Sequence, residues 1–319
     1  MPAGIDSTAV SENFGPQDGD VETQARARLA WEAQTGLAGA TNFPVDPTNA
    51  QQHLPPFEVV SIPGDDGLQL SGILWKPPGD GPFPAVIYNH GSEEFEKDVN
   101  YEEIANFYVR NGFEFFMPLR RGHSYIDDGH VVATSGGVLF DDRLAEDTKR
   151  GNADKDADWI KEQEVDNQDV AAAAKWLAES YGVDTDKMVM SGISFGGIQT
   201  LLAAEKGLGM RAFIPFAPAA MAWNVFPEVQ DRLANAVQHA KAPVFLIQAE
   251  NDYSTGPSQE LGPLLDQSGS PNRHKVYPPF QVERGPSGGH AGFALHGMEV
   301  WRQDVSDFLQ DTENTSLPN

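Results

Sequence analysis

KMVMSGISFGGIQTLLAAEKG, at residues 187–207, is the stretch of sequence that decides the fold. Its first part is a short apolar run, its second part has a helical pattern, and no loop separates the two. This arrangement predicts a buried strand that runs directly into a helix. From residue 57 onward, short apolar runs of the same kind alternate with amphipathic helical patterns. We therefore expect an α/β protein with a mostly parallel central sheet and helices on both faces.

The first two predicted strands, FEVVSI and LQLSGILW, are joined by the turn PGDDG and form a hairpin at the antiparallel edge of the sheet. Further strands are predicted in PAVIYNHG, FEFFMPL, KMVMSG, RAFIPFAP, PVFLIQAE and HKVYPP. Helices are predicted in YEEIANFYVRNG, DVAAAAKWLAESYG, SFGGIQTLLAAEKG and MEVWRQDVSDFLQ. The pattern contains no internal repeat and no second core, so one large domain is expected.

The chain divides into an extension, a domain and a tail. Residues 1–55 are predicted to form an N-terminal extension, with a helix in VETQARARLAWEAQTG and a linker rich in Pro and Asn. Residues 56–312 are predicted to form the α/β domain, and residues 313–319 a C-terminal tail. Within the domain, residues from about 121–165 are rich in Asp, Glu and Lys and predict an inserted helical element. We expect this element to lie over the carboxyl edge of the sheet, where open α/β sheets place their active sites.

The composition excludes several classes of function. Acidic residues outnumber basic residues 47 to 22, giving a formal net charge of −25. A surface this negative repels nucleic acids and anionic membranes, and it indicates either simple solubility or adaptation to high salt. The absence of cysteine excludes disulfides and thiolate chemistry. Neither a signal peptide nor a membrane-spanning run is visible in the sequence, so a cytoplasmic protein is expected.

The pentapeptide Gly192-Ile193-Ser194-Phe195-Gly196 fits the pattern G-x-S-x-G between a strand and a helix. A serine on so sharp a turn needs glycine two positions before and after it, because the strand and the helix approach closely there. The turn exposes the hydroxyl at a helix N-terminus, where developing negative charge is favoured. Ser194 is therefore the predicted nucleophile. The alternative is a glycine-rich turn in which Ser194 only caps the helix.

The segment Asn89-His90-Gly91-Ser92 ends a predicted strand and is the candidate oxyanion loop. A tetrahedral intermediate needs two N–H groups directed at its negatively charged oxygen. One is expected from Phe195, the residue after the nucleophile, and the other from Ser92. His90 is interpreted as a structural residue that holds the loop by hydrogen bonds.

A serine nucleophile needs a base, and the base needs an acid that orients it. In a strand–turn–helix arrangement of this type the expected chain order is Ser, then Asp or Glu, then His. After Ser194, the strand PVFLIQAE runs into Asn251-Asp252-Tyr253. Asp252 is the predicted acid, and Glu250, as the last residue of the strand, is its nearest rival.

Four histidines follow Ser194 in the chain. His290 lies in the glycine-rich loop GPSGGHAGF between the last strand and the last helix, which is where the base is expected. His296 leads the final helix and is interpreted as a surface or cap residue. His239 is placed in a helix and His274 at a strand start. The histidines lack the H-x-x-x-H spacing of a helical zinc site, so neither a metal nor an organic cofactor is expected.

Five motifs together resemble those of the α/β-hydrolase superfamily, and within it the dienelactone-hydrolase-like branch. They are NHGS at 89–92, RRGHS at 120–124, GISFGG at 192–197, ENDYS at 250–254 and GGHAGF at 288–293. The resemblance covers residues from about 57 to 311 and implies an α/β-hydrolase fold. The founding members use a cysteine nucleophile, whereas this chain has Ser194. The resemblance therefore implies a serine esterase rather than a dienelactone hydrolase.

The motif RRGHS looks like the Arg-Gly-x-Gly-x-Ser segment that follows the fourth strand in such enzymes. Its Arg121 and His123 are interpreted as structural. Trp223 and Phe226, in the segment FAPAAMAWNVF, are candidates for an apolar wall of the substrate pocket. The alternative, to which we give equal weight, is that both side chains belong to the hydrophobic core.

The sequence thus predicts a hydrolase of carboxylic esters that acts on a small-molecule substrate through an acyl-enzyme. A hydrolase of amides or small peptides with the same triad is the first alternative. A non-catalytic binding protein on a hydrolase scaffold is the second. Neither the natural substrate nor the oligomeric state is indicated by the sequence.

Overall fold

The computed structural model describes residues 56–92, 101–127, 129–149, 155–180, 182–269, 271–280 and 288–313. Ten strands are described in these ranges: β1 Glu58–Pro63, β2 Gln69–Trp75, β3 Phe83–Asn89, β4 Glu114–Leu119, β5 Ser124–Asp127, β6 His130–Thr134, β7 Val183–Ile193, β8 Ala212–Phe216, β9 Phe245–Ala249 and β10 Arg273–Tyr277. Eight of them form one sheet in the order β1-β2-β4-β3-β7-β8-β9-β10, and β5 and β6 form a separate hairpin.

The large sheet is parallel over most of its width. β1 pairs antiparallel with β2, and β2 pairs antiparallel with β4. From β4 through β3 and β7 to β10, all neighbouring strands are parallel. The predicted mostly parallel sheet with an antiparallel hairpin at one edge is confirmed.

Eight α-helices are described in the same ranges: α1 Glu102–Arg110, α2 Phe140–Lys149, α3 Lys155–Ser180, α4 Phe195–Lys206, α5 Pro227–Gln238, α6 Gly256–Ser268, α7 Phe293–His296 and α8 Met298–Glu313. A π-helical turn, Gly288–Gly292, precedes α7. Helices α3 to α6 pack against one another, while α1 and α8 both pack on α7. Among the described residues, no helix combines the length and the apolar character needed to cross a lipid bilayer.

Side chains of the parallel strands are buried on both faces of the sheet, which is why these strands are continuous apolar runs in the sequence. In β8, Phe213 belongs to the core formed with α3 to α6. Its neighbour Phe216 lies on the other side, where its ring centroid is 5.0 Å from that of Trp301 in α8. Trp301 is fully buried and donates its indole N–H to the Phe293 carbonyl oxygen. These contacts fix α8 to the sheet.

The inserted segment contains a hairpin that the sequence analysis did not predict. β5 and β6 pair antiparallel with Asp127 opposite His130, and Gly129 adopts a φ of 74° in the connection. The Asp-Gly dipeptide between two short runs with β-branched residues was the available signal. Among the described residues of the insertion, Phe140–Lys149 and the first part of Lys155–Ser180 are helical, as predicted.

Helix α3 begins at Lys155, well before the predicted start near Val170. Its first half has no apolar stripe to mark a buried face. Four acidic residues at helical spacing are buried there instead, each less than a tenth exposed: Asp158, Glu162, Asp166 and Asp169. We refer to these four residues as the acidic stripe. A polar face is normally a solvent face, so hydrophobic periodicity could not locate this part of the helix.

The N-terminal extension with its predicted helix lies outside the described residues, as does the tail beyond Glu313. The domain boundaries at 55 and 312 therefore stay predictions.

Candidate active site

Ser194 occupies the turn between the end of β7 and the start of α4, with φ 57° and ψ −115°. Positive φ is costly for a residue with a side chain and is tolerated where the surrounding structure enforces it. Two hydrogen bonds hold the backbone of Ser194 in this conformation. Ser194 N–H donates to the Phe216 carbonyl oxygen, and Ile198 N–H donates to the Ser194 carbonyl oxygen, both at 3.0 Å. The hydroxyl is thus held on a strained turn at a helix N-terminus.

The glycines around Ser194 are required by backbone contact. A Cβ atom at Gly196 would lie 1.9 Å from the Asn89 carbonyl oxygen, at the end of β3. A Cβ atom at Gly192 would lie 2.6 Å from the Gly196 carbonyl oxygen. Nothing larger than hydrogen fits at either position, as the sequence analysis expected. The turn therefore packs directly against the loop that carries Ser92.

Ser194 opens into a cavity of about 240 Å³. Ser92 and Phe195, the two candidate oxyanion residues, line the same cavity as the candidate nucleophile. The other lining residues are Arg120, His123, Leu139, Phe140, Asp141, Trp159, Ile198, Ala219, Met221 and Ala222. The inserted segment supplies one wall of this cavity through Phe140 and Trp159, whose rings pack edge to face at 5.6 Å.

His290 and Asp252 form a direct pair. The Nδ1 atom of His290 lies 2.7 Å from Oδ1 of Asp252, and both side chains are buried. A carboxylate can only accept a hydrogen bond, so Nδ1 carries the proton and Nε2 is the basic nitrogen. Nε2 is buried and has no hydrogen-bond partner among the described residues. The pair therefore leaves Nε2 as the ring nitrogen that is available to a reacting group.

Asp252 is held in place by two further donors. Gln248 donates its Nε2–H to Oδ2, and the Tyr253 backbone N–H donates to Oδ1, each at 2.7 Å. The π-helical turn that carries His290 approaches the Asp252 loop closely, because a Cβ atom at Gly289 would lie 2.4 Å from Oδ1 of Asn251. Glycine next to the histidine permits this approach.

The rival residues lie elsewhere. Glu250 is exposed and its backbone N–H donates to the Tyr277 carbonyl oxygen. His296 pairs with Glu103 of α1 at 2.7 Å. His239 is exposed at the end of α5, and His274 lies 3.3 Å from Asp266.

The three predicted triad residues follow three parallel strands. Ser194 follows β7, Asp252 follows β9, and His290 follows β10 in the chain. The carboxyl ends of parallel strands meet at one edge of the sheet, so all three residues belong to that edge. The structure joins Asp252 to His290 by a hydrogen bond, and it brings Ser194, Ser92 and Phe195 together around the cavity.

Residues 131–226, which include Ser194, match the model of the prolyl oligopeptidase family. Three solved structures resemble the whole domain. A dipeptidyl peptidase 4 of Porphyromonas gingivalis is 13% identical with a TM-score of 0.57, over 81% of this chain and 36% of its own. An esterase of Pyrococcus furiosus is 17% identical with a TM-score of 0.55, over 80% and 91%. The α/β hydrolase GrgF from a Penicillium species is 18% identical with a TM-score of 0.56, over 81% and 100%.

This chain has the α/β-hydrolase fold. The fold predicted from the sequence is thereby confirmed, while the dienelactone-hydrolase-like branch stays a prediction. The chain spans only about a third of the length of the Porphyromonas peptidase. No curated protein is significantly similar to it in sequence.

Two residues expected at the substrate pocket lie behind the wall of the cavity beside Ser194. Trp223 is 1% exposed, belongs to the core and donates its indole N–H to Glu260 at 3.0 Å. Phe226 stacks on Trp159 at 5.4 Å. Neither lines the cavity described above; Met221 and Ala222 of the same segment do. The alternative interpretation of Trp223 as a core residue therefore agrees with its position.

Sequence reasoning missed the aromatic residues of the inserted wall. Phe140 and Trp159 stand in an acidic segment, and their apolar character beside so many charges was the only available signal.

His90 and His123 lie at and near the candidate oxyanion loop, with ring centroids 4.6 Å apart. Burial lowers the pKa of His90 well below its usual value, and the neighbouring Arg120 charge lowers it further. Burial and then the Arg120 charge lower the pKa of His123 to about 3. Both imidazoles are therefore neutral, in agreement with structural roles. Among the described residues, no group of three or more His, Asp or Glu side chains is placed to bind a metal ion.

Replacing Gly196 with Ala is expected to abolish activity and to destabilise the fold, because the new methyl group would overlap the Asn89 carbonyl oxygen. Gly182→Ala is the matched control, since a Cβ atom at Gly182 meets nothing within 4 Å. Urea unfolding and turnover of the two variants check this. A Gly196→Ala variant with wild-type turnover would show that the close contact is not needed.

Replacing His123 with Asn is expected to reduce the loss of stability in acid. The folded state holds His123 neutral down to a pKa of about 3, while the unfolded chain takes up a proton near 6.5. Stability from this group is therefore complete above about pH 6.5 and is lost as the pH falls towards 3. The free energy of unfolding of the wild type should fall relative to that of the variant over this interval. Urea unfolding from pH 4.5 to 7.5 measures this difference, and exposed His239→Asn is the control. Parallel curves for the wild type and His123→Asn would contradict the assignment.

Proposed function

We propose that the protein is a serine hydrolase that cleaves carboxylic esters through an acyl-enzyme intermediate. The observation that carries the proposal is the 2.7 Å hydrogen bond between His290 and Asp252, at the same edge of the sheet as the strained Ser194. A buried carboxylate–imidazole pair whose second ring nitrogen has no described partner is suited to take a proton from a hydroxyl.

The proposed reaction begins when Nε2 of His290 takes the proton of the Ser194 hydroxyl. The oxygen of Ser194 attacks the ester carbonyl, and the backbone N–H groups of Phe195 and Ser92 bind the resulting oxyanion. The intermediate collapses, and the leaving alcohol receives the proton from His290. Water then attacks the acyl-enzyme by the same route and releases the acid. Asp252 stabilises the imidazolium and fixes its tautomer throughout.

The shape of the cavity supports a small ester as the substrate. Its volume of about 240 Å³ lies below the range of typical drug-sized sites. Phe140, Trp159 and Met221 provide apolar surface for an acyl or alcohol group of modest size. A neutral substrate of this kind also suits a protein with a net charge of −25, which would repel anionic substrates.

A hydrolase of amides or small peptides is the second candidate. It is favoured by the match of residues 131–226 to the prolyl oligopeptidase family. The same Ser194, His290 and Asp252 would serve that reaction. The two candidates differ in the leaving group that they can expel.

Replacing Ser194 with Ala is expected to lower kcat by several orders of magnitude without unfolding the protein, because no other group supplies the nucleophile. Asp252→Asn and His290→Ala should also reduce turnover strongly. The matched controls are Glu250→Gln and His296→Ala, which change the exposed acid and the histidine paired with Glu103. Hydrolysis of p-nitrophenyl acetate measures each variant. The triad would be refuted if Glu250→Gln lowered turnover more than Asp252→Asn, or if His296→Ala lowered it more than His290→Ala. A Ser194→Ala variant with more than about a tenth of the wild-type turnover would also refute it.

The ester assignment predicts that kcat/KM for a p-nitrophenyl ester greatly exceeds that for the p-nitroanilide of the same acyl group. A series of acyl chain lengths should show a maximum at short chains, because the cavity is small. Comparable rates on the anilide would support the amide hydrolase instead. A folded protein that neither hydrolyses these substrates nor reacts with a fluorophosphonate would support the non-catalytic binding protein.

A further inference from the structure

We propose that Arg120 is a positioning residue that fixes both halves of the oxyanion hole. This inference rests on the proposed serine-hydrolase function. Arg120 is the first residue of the RRGHS motif and follows β4, so it lies outside both segments that carry the candidate oxyanion donors. Its side chain contacts each of those segments.

The guanidinium group binds the loop that follows β3. Nη1 of Arg120 donates to the His90 carbonyl oxygen at 2.8 Å, and Nη2 donates to the Gly91 carbonyl oxygen at 2.5 Å. Arg120 is 1% exposed, so water does not compete for these carbonyl groups. Hydrogen bonds from a charged donor are about twice as strong as those between neutral groups.

These bonds determine the direction of the Ser92 N–H. The Gly91 carbonyl and the Ser92 N–H belong to one peptide group, and in a trans peptide they point in opposite directions. A Gly91 oxygen that is bound to Arg120 therefore turns the Ser92 N–H away from the guanidinium group. The preceding peptide follows the same rule: its His90 oxygen is bound to Arg120, and its Gly91 N–H donates to the Tyr101 hydroxyl at 3.3 Å.

The same guanidinium group lies over the ring of Phe195, with its central carbon 4.6 Å from the ring centroid. Phe195 is the first residue of α4, and its backbone N–H is the second candidate oxyanion donor. This cation–π contact holds the Phe195 ring at the cavity, which both residues line. One side chain thus links the loop of Ser92 to the helix start of Phe195.

The neutral imidazole of His90 packs between Arg120 and the Gly91 peptide group. The Arg120 backbone N–H lies 3.4 Å from Nε2 of His90, Nη2 of Arg120 lies 3.2 Å from Nδ1, and Nδ1 lies 3.0 Å from the Gly91 oxygen. Burial lowers the pKa of His90, and the charge of Arg120 acts in the same direction. The imidazole therefore stays neutral and supports the same peptide orientation.

The charge of Arg120 is compensated by a carboxylate of α3. Its Nε atom lies 3.8 Å from Oδ2 of Asp166, and Arg143 donates to Oδ1 of the same carboxylate at 2.5 Å. Burial raises the pKa of Asp166 to about 6, so above that pH its carboxylate compensates Arg120, which then orients the site without adding a net buried charge.

The test compares Arg120→Lys with Arg121→Lys. Lysine keeps the charge but cannot bind two carbonyl groups and stack on Phe195 with one planar group. Arg121 is the adjacent buried arginine, and it pairs with Asp169 rather than with the oxyanion loop. Titration with a fluorophosphonate counts the folded sites, and urea unfolding measures the stability of each variant.

Arg120→Lys is expected to lower kcat about 100-fold with KM changed less than about threefold, because a misplaced donor acts in the transition state. The inhibition constant for phenylboronic acid, which forms a tetrahedral adduct with serine, should rise at least about tenfold in parallel. Arg121→Lys should leave both quantities near those of the wild type. A loss of stability alone would not raise the inhibition constant of folded sites.

A second pair of variants decides the matter if Arg120→Lys does not fold. Phe195→Leu removes the ring beneath the guanidinium group and keeps the backbone N–H, so kcat and boronate affinity should fall together. Phe140→Leu removes a ring that also lines the cavity and packs on Phe195 at 5.0 Å, and it should change mainly KM.

Folded Arg120→Lys with wild-type kcat and boronate affinity would overturn the inference, as would equal losses in Arg121→Lys. Where only the phenylalanine pair is folded, indistinguishable effects of the two substitutions would overturn it. In each of these cases the wild type still hydrolyses esters. A wild type that neither turns over esters nor reacts with the fluorophosphonate would instead refute the proposed function.

Discussion

The cavity of this protein depends on ion pairs between three members of the acidic stripe, Glu162, Asp166 and Asp169, and three arginines. Asp169 binds Arg121 through both oxygens, and Asp166 lies between Arg143 and Arg120. A buried charge costs several kcal/mol in desolvation, and removing one partner of a pair costs about 3–5 kcal/mol. These ion pairs therefore hold the inserted segment against the sheet, and with it the wall formed by Phe140 and Trp159.

The sequence predicted those parts of the structure that obey local rules. Strands buried on both faces are continuous apolar runs, so the sheet could be found. The glycines around Ser194 are dictated by a backbone contact that any strand–turn–helix of this kind must make. Asp252 and His290 could be paired because chain order and strand ends restrict the choice, and the 2.7 Å hydrogen bond joins those two residues rather than Glu250 or His296.

The remaining features depend on partners that are distant in the chain. The first half of α3 is buried by ion pairing with arginines of other elements, which no periodicity within residues 155–169 reveals. The segment around Trp223 is uniformly apolar, so composition could not show that Met221 faces the cavity while Trp223 faces the core. The proposed role of Arg120 is to orient the peptide groups of the candidate oxyanion loop. The RRGHS motif does not indicate which carbonyl oxygens its first residue binds.

The same ion pairs bear on how the protein would release an anionic product. Arg120, Arg121 and Arg143 are each paired with a carboxylate, so none of these three cations is left unbalanced beside the cavity. The proposed ester hydrolysis would convert a neutral substrate into a carboxylate anion. Arg120 is the only arginine or lysine among the described residues that line the cavity, and Asp166 compensates it, so the negative field of the protein would favour departure of that anion. The guanidinium group can thus orient the backbone donors without trapping the product.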